Sequence, residues 1–337
     1  MTQNRIRVLH SLAPPDGRTR FIDQMTEGAP DDVEVRYFSW KKALKGDYDV
    51  LHLHWPEFLT RDQRLSKRVG KRQAMRATLL MTRMRRIPIV RTVHNLHPHE
   101  DGGRAERRLL NAIDRRTAVF IKLNPTTQLE PQMHGVTILH GHYRDRFAHH
   151  PRSEREKGRI LYFGLIRPYK NVDKLIELYA RRERPGTSLR IVGSPGRELR
   201  EGISALINSH QAVSGRLEFV DDDVLVREIT AASLVVLPYA EMHNSGAALV
   251  ALSLDRPILV PRTPSNSALA DEVGDAWVRQ YDGDLTEEVL MSALAAADEL
   301  GSEERPKLDG RDWVAIGRLH RDVYHDAIAG AKDRGRR

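Results

Sequence analysis

The sequence predicts an α/β protein: two Rossmann-like, doubly wound domains facing a central cleft. Three observations carry that expectation. The chain has 337 residues, more than one ordinary core of roughly 150 residues holds. Short β-branched runs alternate with longer helical stretches along its length, the pattern of a mostly parallel sheet. A polar, charged, proline-bearing stretch, HHPRSEREKG at 149–158, interrupts the rhythm midway, and the rhythm then restarts. The expected division is 1–150, 151–310 and a terminal helix at 311–337.

Each element follows in order. IRVLHSL at 6–12 reads as a strand, and the turn APPDGRTRF leads from it to a helix at FIDQMTEG. VEVRYFSW at 33–40 and YDVLHLHW at 48–55 are the next strands. A basic helical stretch at 61–91 reaches PIVRTVHN at 88–95, the fourth strand, and TAVFIKLN and GVTILHGH follow. In the second half RILYFGL, SLRIVGSPG, RLEFVDD, SLVVLPYAE, PILVPRT and AWVRQY are strands. Helices run between them through VDKLIELYARR, LREGISALINSH and LVREITAA, and from Asn244. The tail keeps helical spacing at Trp313, Ile316, His320, Val323 and Ala327.

Composition narrows the function classes. The net charge of +8 points to anionic partners: nucleic acid, a membrane surface or phosphorylated substrates. Aromatic residues make up only 6%, too few for a base-stacking platform, and no nucleic-acid motif is present, so no nucleic-acid partner is expected. Zero cysteines exclude disulfides and thiolate chemistry. No apolar run approaches the roughly 18 residues of a membrane span, and no signal peptide is read. A cytoplasmic protein is expected, peripheral on the inner face of the plasma membrane if the basic stretch binds lipid.

The strand ASLVVLPY leads into EMHNSGAALVA at 241–251. Asn244 is a preferred N-cap, with Ser245, Gly246, Ala247 and Ala248 as the first turn. That turn presents unsatisfied amides and the positive end of the helix dipole, and its small residues admit a diphosphate. A second loop, YFGLIRPYKNVDKLI at 162–176, leaves its strand at Gly164 and carries Arg167 and Lys170. A third, VGSPGREL at 192–199, brings Gly193. Parallel strands end on one edge, so the three loops are expected to converge on one anion. A plain capped helix and a solvated basic loop are the alternatives.

These segments resemble the GT-B glycosyltransferases, particularly the family-four type and related bacterial exopolysaccharide transferases. The resembling stretches are FGLIRPYKNVDKLIE, LRIVGSPG and LVVLPYAEMHNSGAALVALSLDRPILVP, with DVLHLHWPE and PIVRTVHNLHPHE in the amino half. The resemblance implies an acceptor-side domain at 1–150 and a nucleotide-sugar-binding domain at 151–310. It also implies a terminal helix that packs back toward the first domain. Arg167 and Lys170 match the residues that bind the donor diphosphate, and Glu241 matches the carboxylate that contacts the donor sugar. The sequence departs from the family in two places. The second glutamate falls near Leu249 or Val250, and the glycine two residues before Pro257 is Asp255. The similarity to mannosyltransferases leans the donor toward GDP-mannose, with a saccharide or polyprenyl-linked acceptor.

The amino half supplies histidines at strand ends, in LHLHWPE at 51–57 and HNLHPHED at 94–101. His94, His99, Glu100 and Asp101 are candidates for charge stabilisation or for the general base of an inverting reaction. The resemblance places His94 near the donor sugar. His52 and His54 share a strand face, as two metal ligands would, but GT-B enzymes work without an active-site metal and none is expected. His52 reads instead as a hydrogen-bonded core histidine. HGHYRDRF from His140 resembles a stretch that enters the cleft, and Gly17-Arg18-Thr19-Arg20 resembles a phosphate-meeting loop. The 61–91 stretch, with Leu65, Val69, Leu79, Leu80 and Met84 as an apolar stripe, reads as a contact for anionic lipid or as a solvated helix face. The reading is a sugar transferase; the alternative is a non-catalytic anion- or nucleic-acid-binding protein of the same fold.

Overall fold

Two six-stranded sheets carry the fold, and every pairing between their strands is parallel. The computed structural model describes residues 5–17, 20–94, 102–181, 184–240 and 242–333. It divides into one unit of Met1–Gly141 with Gly310–Arg337 and a second of His142–Asp309.

The first unit runs β1 (Ile6–His10), α1 (Arg20–Glu27), β2 (Val33–Tyr37), α2 (Trp40–Lys45), β3 (Val50–Leu53), α3 (Leu65–Met84), β4 (Ile89–Val93), α4 (Gly103–Arg116), β5 (Thr117–Lys122) and β6 (Gly135–Thr137). The second begins with α5 (Arg144–Phe147), β7 (Arg159–Phe163), α6 (Val172–Ala180), β8 (Ser188–Val192), α7 (Arg197–Asn208) and β9 (Val213–Arg216). It continues with α8 (Asp222–Ala231), β10 (Leu234–Val236), α9 (Gly246–Ser253), β11 (Ile258–Pro261), α10 (Pro264–Val273), β12 (Val278–Tyr281) and α11 (Glu287–Asp298). The last helix, α12 (Trp313–Asp333), belongs to the first unit. Residues 142–150, placed in the first domain by the sequence, pack in the second unit: the Tyr143 amide donates to Ser253 Oγ and Arg146 pairs with Asp222.

The strands are apolar runs because helices cover both faces of each sheet. Ile160, Leu161 and Tyr162 of β7, and Val235 and Val236 of β10, have no exposed surface. Where the sequence alone extends the second strand to residue 40, the chain instead turns into α2. Ser39 caps that helix by accepting from the Lys42 amide, and such a bond competes with strand pairing. On α12, Trp313, Ile316, His320, Val323 and Ala327 are all buried, joined by Gly317 and Tyr324. Gly317 is required there: a Cβ on it would lie 1.9 Å from the Gly28 carbonyl oxygen at the end of α1.

Asp255 shows what replaced the expected glycine. It follows α9 with φ of 59°, a left-handed conformation that glycine adopts without penalty. Its carboxylate is buried and meets three guanidinium groups: Arg152 at 2.9 Å, Arg305 at 3.2 Å and Arg144 at 3.6 Å. The ion cluster offsets the backbone strain. Asp255→Ala, which keeps the strain and removes the arginines' partner, is expected to lower unfolding stability by about 1 kcal/mol, since those arginines are solvated. Asp255→Gly should cost about 1 kcal/mol less, because it relieves the strain; urea unfolding of the three proteins measures both differences.

Candidate functional site

In the second sheet the strand order is β12-β11-β10-β7-β8-β9, so the order reverses between β10 and β7. Loops leaving the carboxyl ends of those neighbours part there, which is where open α/β sheets hold ligands. The loop after β7 starts at Gly164 with φ of 116°, and the loop after β8 at Gly193 with φ of 153°. A Cβ on Gly193 would lie 1.8 Å from the Gly164 carbonyl oxygen, so only glycine lets these two loops touch. They are then stitched together: the Ile166 amide donates to Ser194 O at 3.0 Å and the Gly196 amide to Ile166 O at 3.3 Å.

Lys170 and the start of α9 are linked through one phenol. Lys170 Nζ donates to the Tyr239 hydroxyl at 3.2 Å and sits 4.4 Å from the centre of its ring. The Ser245 side chain is also close enough to act on that hydroxyl. The loops after β7 and β10 thus meet at one place, with Gly164 close by, 3.9 Å from Lys170 Nζ as measured to a Cβ built on it. Arg167, on extended backbone at the same loop, bonds only the neighbouring Ile166 carbonyl, at 3.1 Å, among the contacts described for its side chain.

The cap of α9 differs from the expected one. Ser245, not Asn244, is the N-cap: its backbone is extended and its Oγ accepts from the Ala248 amide at 3.3 Å. Asn244 stands one residue earlier. Gly246 and Ala247 are therefore the first two helical residues, and the amides they present come before the one the serine satisfies. Glu241 lies outside the described residues. Leu249 and Val250, where a second glutamate was looked for, are both 4% exposed in the core.

A hollow of about 800 Å³ in this unit is lined in part by Asn171, Lys174, Arg181, Tyr239, Ala240 and Tyr281. Neither Arg167, Lys170 nor the first turn of α9 lines it. We place the candidate anion site by Lys170, Tyr239 and Ser245, where a lysine stands at the start of a helix; the hollow has Lys174 and Arg181 instead. Burial, and then the charge of Arg167, push the Lys170 ammonium down to about 8. A lysine with that value is charged below pH 8 and neutral above it. Affinity for a nucleoside diphosphate is expected to weaken by up to tenfold per pH unit above 8. Lys170→Met should remove that slope; titration calorimetry between pH 7 and 9 checks both.

In the first unit the order β2-β1-β3-β4-β5-β6 reverses between β1 and β3, and histidines stand at that edge. His10 ends β1, His52 lies in β3, and His54 and His94 follow β3 and β4. His52 is fully buried, with its ring nitrogens 2.8 Å from the Tyr324 hydroxyl and 2.8 Å from Thr92 Oγ1. This is the hydrogen-bonded core histidine the sequence suggested. His54 lies between His10 and His94, with ring nitrogens 3.2 Å apart on each side. His94 stacks on Trp55 at 3.8 Å between ring centres and meets the edge of Phe21 at 5.0 Å.

Burial drives every one of these imidazoles toward the neutral form. His10 falls to about 3 and His140 to about 4; His52, His54 and His94 lie well below the usual value, and neighbouring imidazoles, with Arg91 at His94 and Arg311 at His140, add to the effect. His94 is thus a neutral imidazole at physiological pH. His140 joins the same aromatic group through Phe21, at 5.1 Å. The nitrogens of His10, His52 and His54 lie within 4.8 Å of one another, close enough for a metal. A metal held by all three would cost His52 one of its two hydroxyl bonds. His99, Glu100, Asp101, Arg18 and Thr19 lie outside the described residues, while Gly17 is described with φ of 72°.

Sequence reasoning missed His10, Trp55, Tyr239 and Tyr324. A signal existed for His10, the last residue of a predicted strand on the same edge as His54. Tyr239 and Tyr324 act through contacts between distant segments, which spacing does not reveal.

No family model matches the chain. A curated relative, the GDP-mannose:glycolipid 4-beta-D-mannosyltransferase of Xanthomonas campestris pv. campestris, is 43% identical over 326 residues, which covers 96% of this chain and 93% of that protein. Among solved structures, Anabaena HepE in complex with UDP matches with a TM-score of 0.63 at 12% identity over 98% of each chain. Sucrose-phosphate synthase from Thermosynechococcus elongatus matches with a TM-score of 0.62 at 14% identity over 97% of this chain and all of that one, 100%. The fold is the one that these GT-B glycosyltransferases share.

Proposed function

We infer that this chain, which belongs to the glycosyltransferase family of the GDP-mannose:glycolipid 4-β-D-mannosyltransferase, transfers mannose from GDP-mannose to a glycolipid acceptor. The observation that carries the donor half is the meeting of Lys170, Tyr239 and Ser245 at the switch point of the second sheet. There Arg167 and Lys170 stabilise the departing diphosphate, with the amides of Gly246 and Ala247, and no bound metal is called for. Gly164 and Gly193 let the ligand approach the backbone, Asn244 borders the site, and Glu241 orients the donor sugar. The relative's name supports inversion, since mannose is α-linked in GDP-mannose and β-linked in the product. Inversion in one displacement requires a base for the acceptor hydroxyl, the role we give to His94, with Glu100 the second candidate. Membership of a transferase family favours this reading over a binding-only protein.

A glycolipid acceptor brings the basic helix α3 into the reading. The apolar stripe divides: Leu79 is buried, whereas Leu65, Val69, Leu80 and Met84 are 48% to 76% exposed. Exposed Arg76 and Arg83 lie on the same side at helical spacing. Among the described residues no helix is long and apolar enough to cross a membrane. We propose that this face rests on anionic lipid at the cytoplasmic surface and brings the enzyme to its acceptor.

Two tests follow. In EDTA-containing buffer, the protein should form a β-linked product from GDP-mannose and glycolipid, with its anomeric configuration read by NMR. The Arg167→Ala/Lys170→Ala pair should lower turnover at least ~100-fold with an unchanged circular dichroism spectrum. Undiminished turnover in the pair would remove these residues from the donor site, and turnover with a different nucleotide sugar alone would remove GDP-mannose. Separately, Arg76→Gln/Arg83→Gln should weaken sedimentation with phosphatidylglycerol vesicles about tenfold or more, at about 1 kcal/mol per near-surface cation. Equal binding by both proteins would place the lipid contact elsewhere.

A further inference from the structure

Three imidazoles stand head to tail on the carboxyl edge of the first sheet. His94 Nε2 lies 3.2 Å from His54 Nδ1, and His54 Nε2 lies 3.2 Å from His10 Nδ1. A neutral imidazole has one N–H and one lone pair, so the tautomer of one ring in such a chain sets the others. With Nε2 protonated throughout, His94 donates to His54 and His54 donates to His10. The chain then presents a lone pair at His94 Nδ1 and an N–H at His10 Nε2.

The inner end of the chain is built to receive that N–H. His10 borders a cavity of about 20 Å³ together with His320 and Tyr324, room for one water. His320 Nδ1 lies 2.9 Å from the Ile316 carbonyl oxygen and donates to it, which leaves Nε2 an acceptor. That buried atom has no hydrogen-bond partner among the described residues. A single water in that cavity would accept from His10 and donate to His320. His52 stacks beside the chain, 4.3 Å from His54 between ring centres, but its two hydroxyl bonds keep it from being a link.

We propose that His54, His10 and His320 form a buried proton relay that serves His94, resting on the glycosyl-transfer reading above. As the acceptor oxygen bonds the anomeric carbon, the bond from that carbon to the diphosphate breaks and its electron pair leaves with the nucleotide. The acceptor's proton goes to His94 Nδ1, directly or through the group bonded there. His94 passes its Nε2 proton to His54 Nδ1, and His54 passes its own to His10 Nδ1. His10 passes its Nε2 proton through the water to His320 Nε2. Each of the three chain imidazoles gives one proton for the one it gains and stays neutral, while the charge rests on His320, where burial also disfavours it, until product leaves. After product leaves, the proton returns by the same route.

His54, His10 and His320 are positioning residues in this scheme, and His94 alone meets the substrate. Single-turnover transfer with GDP-mannose is the test. His54→Asn and His10→Asn should each lower the transfer rate about tenfold or more while the Kd for the donor stays within twofold. The double variant should be no slower than His54→Asn, because links in series are lost together. A wild-type rate in His10→Asn, or multiplying losses in the double variant, overturns the relay. Should a variant fail to fold, ¹⁵N NMR of the imidazoles in the unaltered protein decides: the Nε2–H tautomer at His94, His54 and His10 supports the relay, and an Nδ1–H tautomer at His54 or His10 overturns it. Arg167→Ala/Lys170→Ala, run alongside, separates the two failures. Its retained activity counts against the donor site, whereas retained activity in His10→Asn counts against the relay alone.

Discussion

Parallel pairing is the constraint on which the rest depends. A parallel strand must be followed by a crossover, and every crossover in one sheet leaves from the same edge. All the carboxyl ends therefore lie side by side, and at the reversal of strand order two neighbouring loops are forced apart. Each sheet has one such point. In the second it falls between β10 and β7, so the loops carrying Lys170 and Ser245 are neighbours although 75 residues separate them in the chain (245 minus 170). In the first it falls between β1 and β3, and the histidines crowd there for the same reason.

The two edges solve opposite electrostatic problems. Around Lys170 the protein keeps positive charge where burial disfavours it, which lowers the ammonium pKa and leaves the site ready to gain from a polyanion. Around His54 it does the reverse. Several imidazoles are packed so tightly that each prefers to be neutral, and they satisfy one another with hydrogen bonds instead of water. A chain with net charge +8 thus keeps Arg167 and Lys170 at the edge of one sheet and excludes charge from the histidine cluster of the other.

What the sequence makes legible is whatever depends on local pattern. Apolar runs give the strands, and glycine after a strand marks Gly164 and Gly193, whose positive φ values and mutual contact demand it. Arg167 and Lys170 are visible as cations in the same turn. The choice between Asn244 and Ser245 as cap is not visible, since both residue types cap helices and the decision rests on which backbone is extended. Trp40 reads as a strand residue because it is aromatic; the Ser39 cap that turns it into a helix is a single hydrogen bond. Tyr239 reads as the polar end of a strand, and only the folded loops reveal it between Lys170 and Ser245.

The missing second glutamate is explained by what α9 has become. From Ala248 to Ser253 the helix is buried on every side, with no polar face. A carboxylate at 249 or 250 would sit in the core beside Ala251 and Leu252, which have no exposed surface, without a partner to repay its desolvation. The helix can serve a ligand only through its first turn. Tyr239 is bonded to Lys170 and lies within reach of Ser245, so the amides of that turn and the cation stand at one sheet edge. The sequence uses Leu249 and Val250 for packing.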